Sequence, residues 1–304
     1  MSESRLIDVA GIGVEVVAAS AAYARCAAGR LGDEPATGEP EVRIDLGPIP
    51  PEVPEGAVRD EVEGIEGHTL DDRIWMGFAT ARARIDGTAV VLGGPLETDR
   101  DEDILDDLLQ FAVAVAATTP SRIMVHGAVV SRGADALLLV GQSGSGKSTL
   151  AASALVGGWD LLGDDLAVID APSLDVRSVR RPAYVPADIA ARHGLDGTGE
   201  ERERARTKLP LDALASGTRR LVGVVAVDHG DVGSVEPLGV GDPSVLDDAL
   251  AMPPFPAVMR RQLAAGAAIL GVPAVLLSHA ADVERRVERA VELLDDAWAR
   301  LAGS

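Results

Sequence analysis

Leu137-Leu138-Leu139-Val140-Gly141-Gln142-Ser143-Gly144-Ser145-Gly146-Lys147-Ser148-Thr149 reads as an apolar strand, a glycine-rich loop and the start of a helix at Lys147. Its second part fits G-x-x-x-x-G-K-[ST], with an extra glycine at 144. Glycines let successive backbone N–H groups turn toward phosphate oxygens, and the positive end of the helix dipole reinforces them. Gly141, Gln142, Ser143, Gly144, Ser145, Gly146, Lys147, Ser148 and Thr149 are therefore expected to bind a nucleotide. Lys147 would bridge the β- and γ-phosphates of ATP, and the Ser148 hydroxyl would hold Mg²⁺. The loop by itself leaves open what happens to the γ-phosphate.

Around this loop the chain alternates short apolar runs with helical stretches, which predicts an α/β core over residues 120–304. Apolar runs at Ile123–Val130 and Ala136–Val140 precede the loop, and a helix follows it to about Val156. Further strands are expected at Leu161–Ile169, Val176–Val179 and Leu221–Val227, the last ending on Asp228. A short helix is expected near Ala187–His193. Asp242-Pro243 pairs a cap with a first-turn proline, and Asp282–Leu301 carries an apolar helical face. The charged stretch Gly194–Lys208 reads as a solvated loop, with an active-site lid as the second reading. Upstream, residues 1–119 read as a smaller, mainly β module. It has proline-rich loop from Glu34 to Gly56 around a short strand at Val42–Leu46, and a hairpin turn at Asp86-Gly87. A linking helix over Arg100–Thr119 ends it, with acidic residues at its start where the helix dipole favours them.

Composition narrows the class. With 304 residues, 47% apolar and 25% charged, the chain can bury a full core. A net charge of −20 opposes binding to nucleic acid or to an anionic membrane surface. Cys26 is the single cysteine, so an intrachain disulfide and a multi-cysteine metal site are both excluded. Glu3, Asp8 and Glu15 interrupt the apolar start as a signal peptide would not, and no stretch is apolar enough to span a membrane. A cytoplasmic location is expected.

Two further features bear on chemistry. Asp164-Asp165 lie 17 and 18 residues beyond Lys147, at or within an expected strand. Neighbouring strand residues face opposite ways, so both carboxylates serve one site only if the chain bends there, as Gly163 allows. One carboxylate would then complete the Mg²⁺ site and the other accept a proton from an incoming hydroxyl. A solvated acidic turn is the plainer reading. His126 sits in a short apolar strand just upstream of the loop, where a histidine satisfied within the core is the plainer reading.

Met124-Val125-His126-Gly127-Ala128-Val129-Val130, then Gly141 to Ser148, then Gly157-Gly158-Trp159-Asp160-Leu161-Leu162-Gly163-Asp164-Asp165 resembles the core of the bacterial HPr kinase/phosphorylase family. It looks closer still to the HPr-kinase-related proteins found beside peptide-modifying enzymes, including lasso-peptide kinases. The resemblance covers about residues 121–170 well and implies a P-loop kinase core of the HPr kinase C-terminal type. It implies Lys147 on phosphate, Ser148 and Asp164 at the metal, Asp165 as proton acceptor from the substrate hydroxyl, and His126 within the active site. Relatives of this kind form oligomers, which implies a homo-oligomer. The chain departs from the full HPr enzymes at Thr149, where they carry Glu. It also lacks their Leu-Glu-x-Arg-Gly-x-Gly signature, and Arg180–Leu195 holds no Glu. These departures point to a kinase without the reverse phosphorolysis and with an acceptor other than HPr. Arg180, Arg181, Lys208, Arg260 and Arg261 are the candidates for an assisting cation.

The sequence thus leads to an ATP- and Mg²⁺-dependent kinase acting on a hydroxyl of a peptide, a protein or a small molecule. Its alternatives are a nucleotide-dependent ATPase switch, with Asp228 as the metal-site acid, and a nucleotide-binding partner protein without catalysis.

Overall fold

The computed structural model describes residues 2–32, 34–62, 65–78, 80–142, 144–195, 206–230, 233–249, 256–280 and 283–302. Ser143, Asp282 and residues 196–205 of the charged stretch lie outside them. The chain divides into two compact units, Met1–Met124 with Ala251–Ala264 and Val125–Leu250 with Ala265–Ser304. This differs from the expected split into 1–119 and 120–304, chiefly because residues 251–264 group with the first unit. No helix of the described residues is long and apolar enough to cross a membrane.

In the first unit, strands β1 (Glu3–Val9), β2 (Ile12–Ala18), β3 (Val42–Gly47), β4 (Val58–Val62), β5 (Ile65–Leu70), β6 (Arg73–Phe78), β7 (Ala81–Asp86) and β8 (Ala89–Gly93) form one sheet. Its order is β1-β2-β3-β8-β7-β6-β5-β4. Helices α1 (Ala21–Leu31) and α2 (Asp99–Ala117) complete the unit. Strict alternation of buried residues with half-buried or exposed ones along β2, β3 and β7 gives the sheet one sealed face. Parallel pairing of β2 with β3 needs a crossover, and the alanine-rich α1 supplies it. This helix was not expected in a mainly β module. The β7–β8 turn is Gly87-Thr88, one residue beyond the expected Asp86-Gly87, with Gly87 at φ +60°. Thr98 caps α2 by accepting the Asp101 N–H at 3.2 Å.

In the second unit, the strands are β9 (Arg122–His126), β10 (Ala128–Arg132), β11 (Asp135–Val140), β12 (Asp160–Gly163), β13 (Leu166–Asp170), β14 (Asp175–Ser178), β15 (Tyr184–Pro186), β16 (Arg206–Lys208), β17 (Arg219–Gly230), β18 (Ser234–Pro237) and β19 (Ala274–Ala280). Helices α3 (Lys147–Val156), α4 (Ala187–His193), α5 (Pro243–Ala249), α6 (Pro256–Leu270) and α7 (Val283–Leu301) follow the chain between and after them, α6 counting with the first unit as far as Ala264. The main sheet runs β12-β10-β11-β17-β14-β13-β9, with β19 also on β17 and β18 on β19. β11, β17 and β19 are mutually parallel, whereas β10–β11 and β13–β14 are antiparallel, so the architecture is mixed α/β. Leu137–Val140 are wholly buried, as expected of a strand covered on both faces. Gly157 closes α3 against α7, since a Cβ there would meet Val291 at 2.8 Å. Trp159 and Trp298 meet edge to face at 5.2 Å, and the Arg132 guanidinium lies 3.9 Å over Trp159.

Two expected strands are each broken in two. Ile123–Val130 is interrupted at Gly127, and Leu161–Ile169 at Asp164-Asp165. Each break adjoins a glycine with close neighbours. A Cβ on Gly127 would meet the Leu139 carbonyl at 2.6 Å, and one on Gly163 would meet Ser178 Oγ at 2.0 Å.

Candidate functional site

The loop after β11 has the backbone its sequence demands. Gly141, Gly144 and Gly146 lie at φ +141°, +87° and +102°, which side chains other than glycine seldom adopt. Gly146 is the N-cap of α3, so the helix begins at Lys147 and aims the N–H groups of its first turn at the loop. Lys147 is buried and donates to the carbonyls of Gly141 and Gln142, the latter at 3.0 Å. Ser145 is buried, and its Oγ has no hydrogen-bond partner in the structure. A buried hydroxyl without a partner costs free energy unless a ligand supplies one. Gln142 and Gly144 are exposed, Ser148 is half-buried and Thr149 is buried.

The strand breaks place the acid–base groups. Gly127 donates its N–H to the Asp165 carbonyl at 2.8 Å, which ties the β9–β10 break to the β12–β13 break. His126 Nε2 then lies 3.1 Å from Asp165 Oδ1. The other oxygen of Asp165 contacts the guanidinium of Arg181, a buried side chain. Asp164 accepts the Tyr184 N–H at 3.0 Å, which anchors the start of β15. Desolvation first, then the positive charges of Lys147 and Arg181, push the His126 pKa down to about 4, against the opposing pull of Asp164. His126 is therefore neutral near pH 7, with its Nε2 facing Asp165 Oδ1. Because both aspartates sit at a strand end, strand alternation does not separate them.

His126, Asp164, Asp165, Arg181 and Lys147 are thus brought together. Of the other cations, Arg180 turns to the Leu211 carbonyl at 3.4 Å, and Arg261 to the Thr118 carbonyl at 3.4 Å. Lys208 lies in β16, paired in register with Tyr184. Among the described residues no group of three or more His, Cys, Asp or Glu forms a ready metal cage.

Sequence reasoning missed two histidines. His229 and His279 are register partners on β17 and β19, and their Nε2 atoms bond the carbonyls of Gly144 (3.0 Å) and Ser145. They lie 85 and 134 residues from the carbonyls they bond, and no local spacing connects them to the loop. The parallel β11–β17–β19 pairing was the signal, because it carries the ends of β17 and β19 to the loop. Asp228 lies in β17 beside His229, one residue beyond the expected strand Leu221–Val227 but still inside the observed one; it is exposed, and its Oδ1 accepts the His229 N–H at 2.7 Å.

No protein-family model matches the sequence, and no curated protein matches it. Among solved structures, the chain is similar to the HPr(Ser) kinase/phosphatase from Coxiella burnetii, at 12% identity and a TM-score of 0.32. That match covers 59% of this chain and 93% of the other. A likeness this distant carries nothing about activity.

Proposed function

We propose that the protein is an ATP- and Mg²⁺-dependent kinase that transfers the γ-phosphoryl group to a hydroxyl of a peptide, a protein or a small molecule. The observation that carries the reading is the junction of the two strand breaks, where His126, Asp164 and Asp165 gather beside the lysine of a phosphate-type loop. The loop fits a triphosphate. Its glycines leave room for phosphate oxygens, α3 offers its N-terminus, and the orphaned Ser145 hydroxyl lacks only a partner.

Lys147 exchanges its two loop carbonyls for the β- and γ-phosphates. Asp165 accepts the proton of the acceptor hydroxyl, and His126, facing its Oδ1, fixes its orientation. Arg181, on the other oxygen, is placed to offset negative charge as the phosphoryl group moves. Ser148 and Asp164 would hold Mg²⁺, which supplies charge neutralisation along the phosphates when bound. Two protein oxygens suffice, because Mg²⁺ at such sites keeps waters and takes phosphate ligands. Positioning and charge account for most phosphoryl-transfer catalysis, so little further protein chemistry is required.

A second reading, a hydrolytic switch, is favoured by one observation. Asp228 is exposed near the end of β17, the parallel strand adjoining the loop's own strand, with Val140 opposite Ala226. Labelled γ-phosphate separates the two. Transfer to an acceptor that is lost in Lys147→Ala and Asp165→Asn but survives Asp228→Asn supports the kinase. Release of free phosphate that depends on Asp228 and not on Asp165 overturns it in favour of the switch.

A further inference from the structure

β17 and β19 run parallel and place His229 opposite His279. The rings meet edge to face at 4.9 Å and 86°. His279 is fully buried, and its Nε2 bonds the Ser145 carbonyl; the exposed His229 reaches the Gly144 carbonyl at 3.0 Å. Carbonyl oxygens only accept, so both Nε2 atoms carry hydrogen. Gly146 completes the fit, since a Cβ there would lie 2.2 Å from His279 Nε2. In a trans peptide the C=O and the following N–H point opposite ways. Holding the Ser145 carbonyl on His279 therefore turns the Gly146 N–H to the other side of the loop.

We infer that His279 is a positioning residue for the phosphate loop: its Nε2–H sets the direction of the 145–146 peptide, and His229 steadies the peptide before it. This rests on the nucleotide-binding reading of the loop. It assigns the bare Gly146 a second reason besides its positive φ, namely room for the imidazole. The brace comes from strands about 85 and 135 residues away in sequence, so the loop's geometry depends on β17 and β19 being in register.

The test compares the unaltered protein with His279→Gln, which keeps a donor nitrogen at similar reach, and His279→Leu, which keeps bulk without a donor. Two quantities are read: hydrogen exchange of the 144–149 amides without nucleotide, and the Kd of a non-hydrolysable ATP analogue with Mg²⁺. Expected in His279→Leu are faster exchange confined to the loop and about tenfold weaker binding, the scale of one lost buried hydrogen bond. His279→Gln should restore both most of the way, and His229→Ala, at an exposed position, should show a smaller shift of the same sign. Equal behaviour of Leu and Gln variants that both fold, or unchanged exchange in His279→Leu, overturns the inference. If the buried variants fail to fold, His229→Ala decides, and unchanged loop exchange there overturns it. Should exchange respond as expected while the unaltered protein binds no analogue, the brace stands and the nucleotide reading falls.

Discussion

Each unit holds an arginine paired with an aspartate, and the two pairs differ in what surrounds them. In the first unit, Arg30 Nε meets Asp106 Oδ2 at 3.0 Å, and the Cys26 thiol donates to Asp106 Oδ1 at 2.6 Å. The Asp106 side chain is 8% exposed and lies in mid-helix, with both oxygens satisfied by protein. In the second unit, Arg181 meets Asp165, but the Asp165 side chain is 33% exposed and sits at a strand break with His126 on its other oxygen. The first pair is sealed between α1 and α2 and holds those helices together. The second is open, flanked by a neutral base and by the lysine of the loop. An arginine–aspartate pair is thus no sign of function by itself; exposure, strand ends and the third partner distinguish the two.

The largest effect separates chemistry from stability. Asp165→Asn should lower phosphoryl transfer by about 10²- to 10⁴-fold, the usual contribution of a positioned base, while nucleotide affinity and melting temperature stay nearly unchanged. Steady-state transfer rates beside calorimetric binding check this; a loss of folding instead would make Asp165 as structural as Asp106. Asp106→Ala should do the reverse. Losing the Asp106 contacts to Arg30 and Cys26 should cost about 2 kcal/mol in denaturant unfolding, with transfer per folded molecule intact, since Arg30 keeps Asp107 at 3.3 Å.

Acid sharpens the contrast by sign. Burial outweighs Arg30 and pushes Asp106 up to about 6, so its protonated form belongs to the fold and its contribution is lost as pH rises through that value. His126, pushed down to about 4, acts oppositely: its contribution is present above the ordinary histidine range and is lost as pH falls toward 4. The stability gained between about pH 5 and about pH 7 should therefore shrink in His126→Gln and grow in Asp106→Asn. Urea midpoints at the two pH values give the answer, and shifts of the opposite sign would show that other groups dominate. The smallest effect is expected at Cys26. Burial, then the Asp106 carboxylate, push its thiol up, so it should stay protonated and resist alkylation in the native protein. Cys26→Ala should cost about 1 kcal/mol through the lost hydrogen bond. Rapid labelling of the folded protein by a thiol reagent would show that the cluster opens.

Much of the frame was legible locally. The strand into Gly141, the helix from Lys147, the hairpin near Gly87 and α7 follow from short-range pattern and glycine conformation. The strand breaks were not, because the apolar runs pass through Gly127 and over the aspartate pair without a change of period. At the breaks Gly127 and Gly163 lie against Leu139 and Ser178, which come from elsewhere in the chain. The bend at Gly163 was expected for Asp164 and Asp165, whereas His126 was placed with them only through the family resemblance. Arg181 was one of five candidate cations, and only the fold sets it on Asp165. His229 and His279 belong to the same class of long-range fact, since the register of β17 and β19 alone brings them to the loop. α1 was missed for another reason: a short alanine-rich stretch beside strands carries little periodic signal, yet the parallel β2–β3 pair requires it.

The claim on which the rest depends is that the loop at residues 141–149 binds a nucleotide. Calorimetric titration of a non-hydrolysable ATP analogue with Mg²⁺ into the unaltered protein and Lys147→Ala tests it directly. Expected is saturable one-to-one binding that weakens by at least about 100-fold without the lysine, as loss of a desolvated charge–phosphate contact implies. No binding by the unaltered protein, or equal affinity in both, would contradict it.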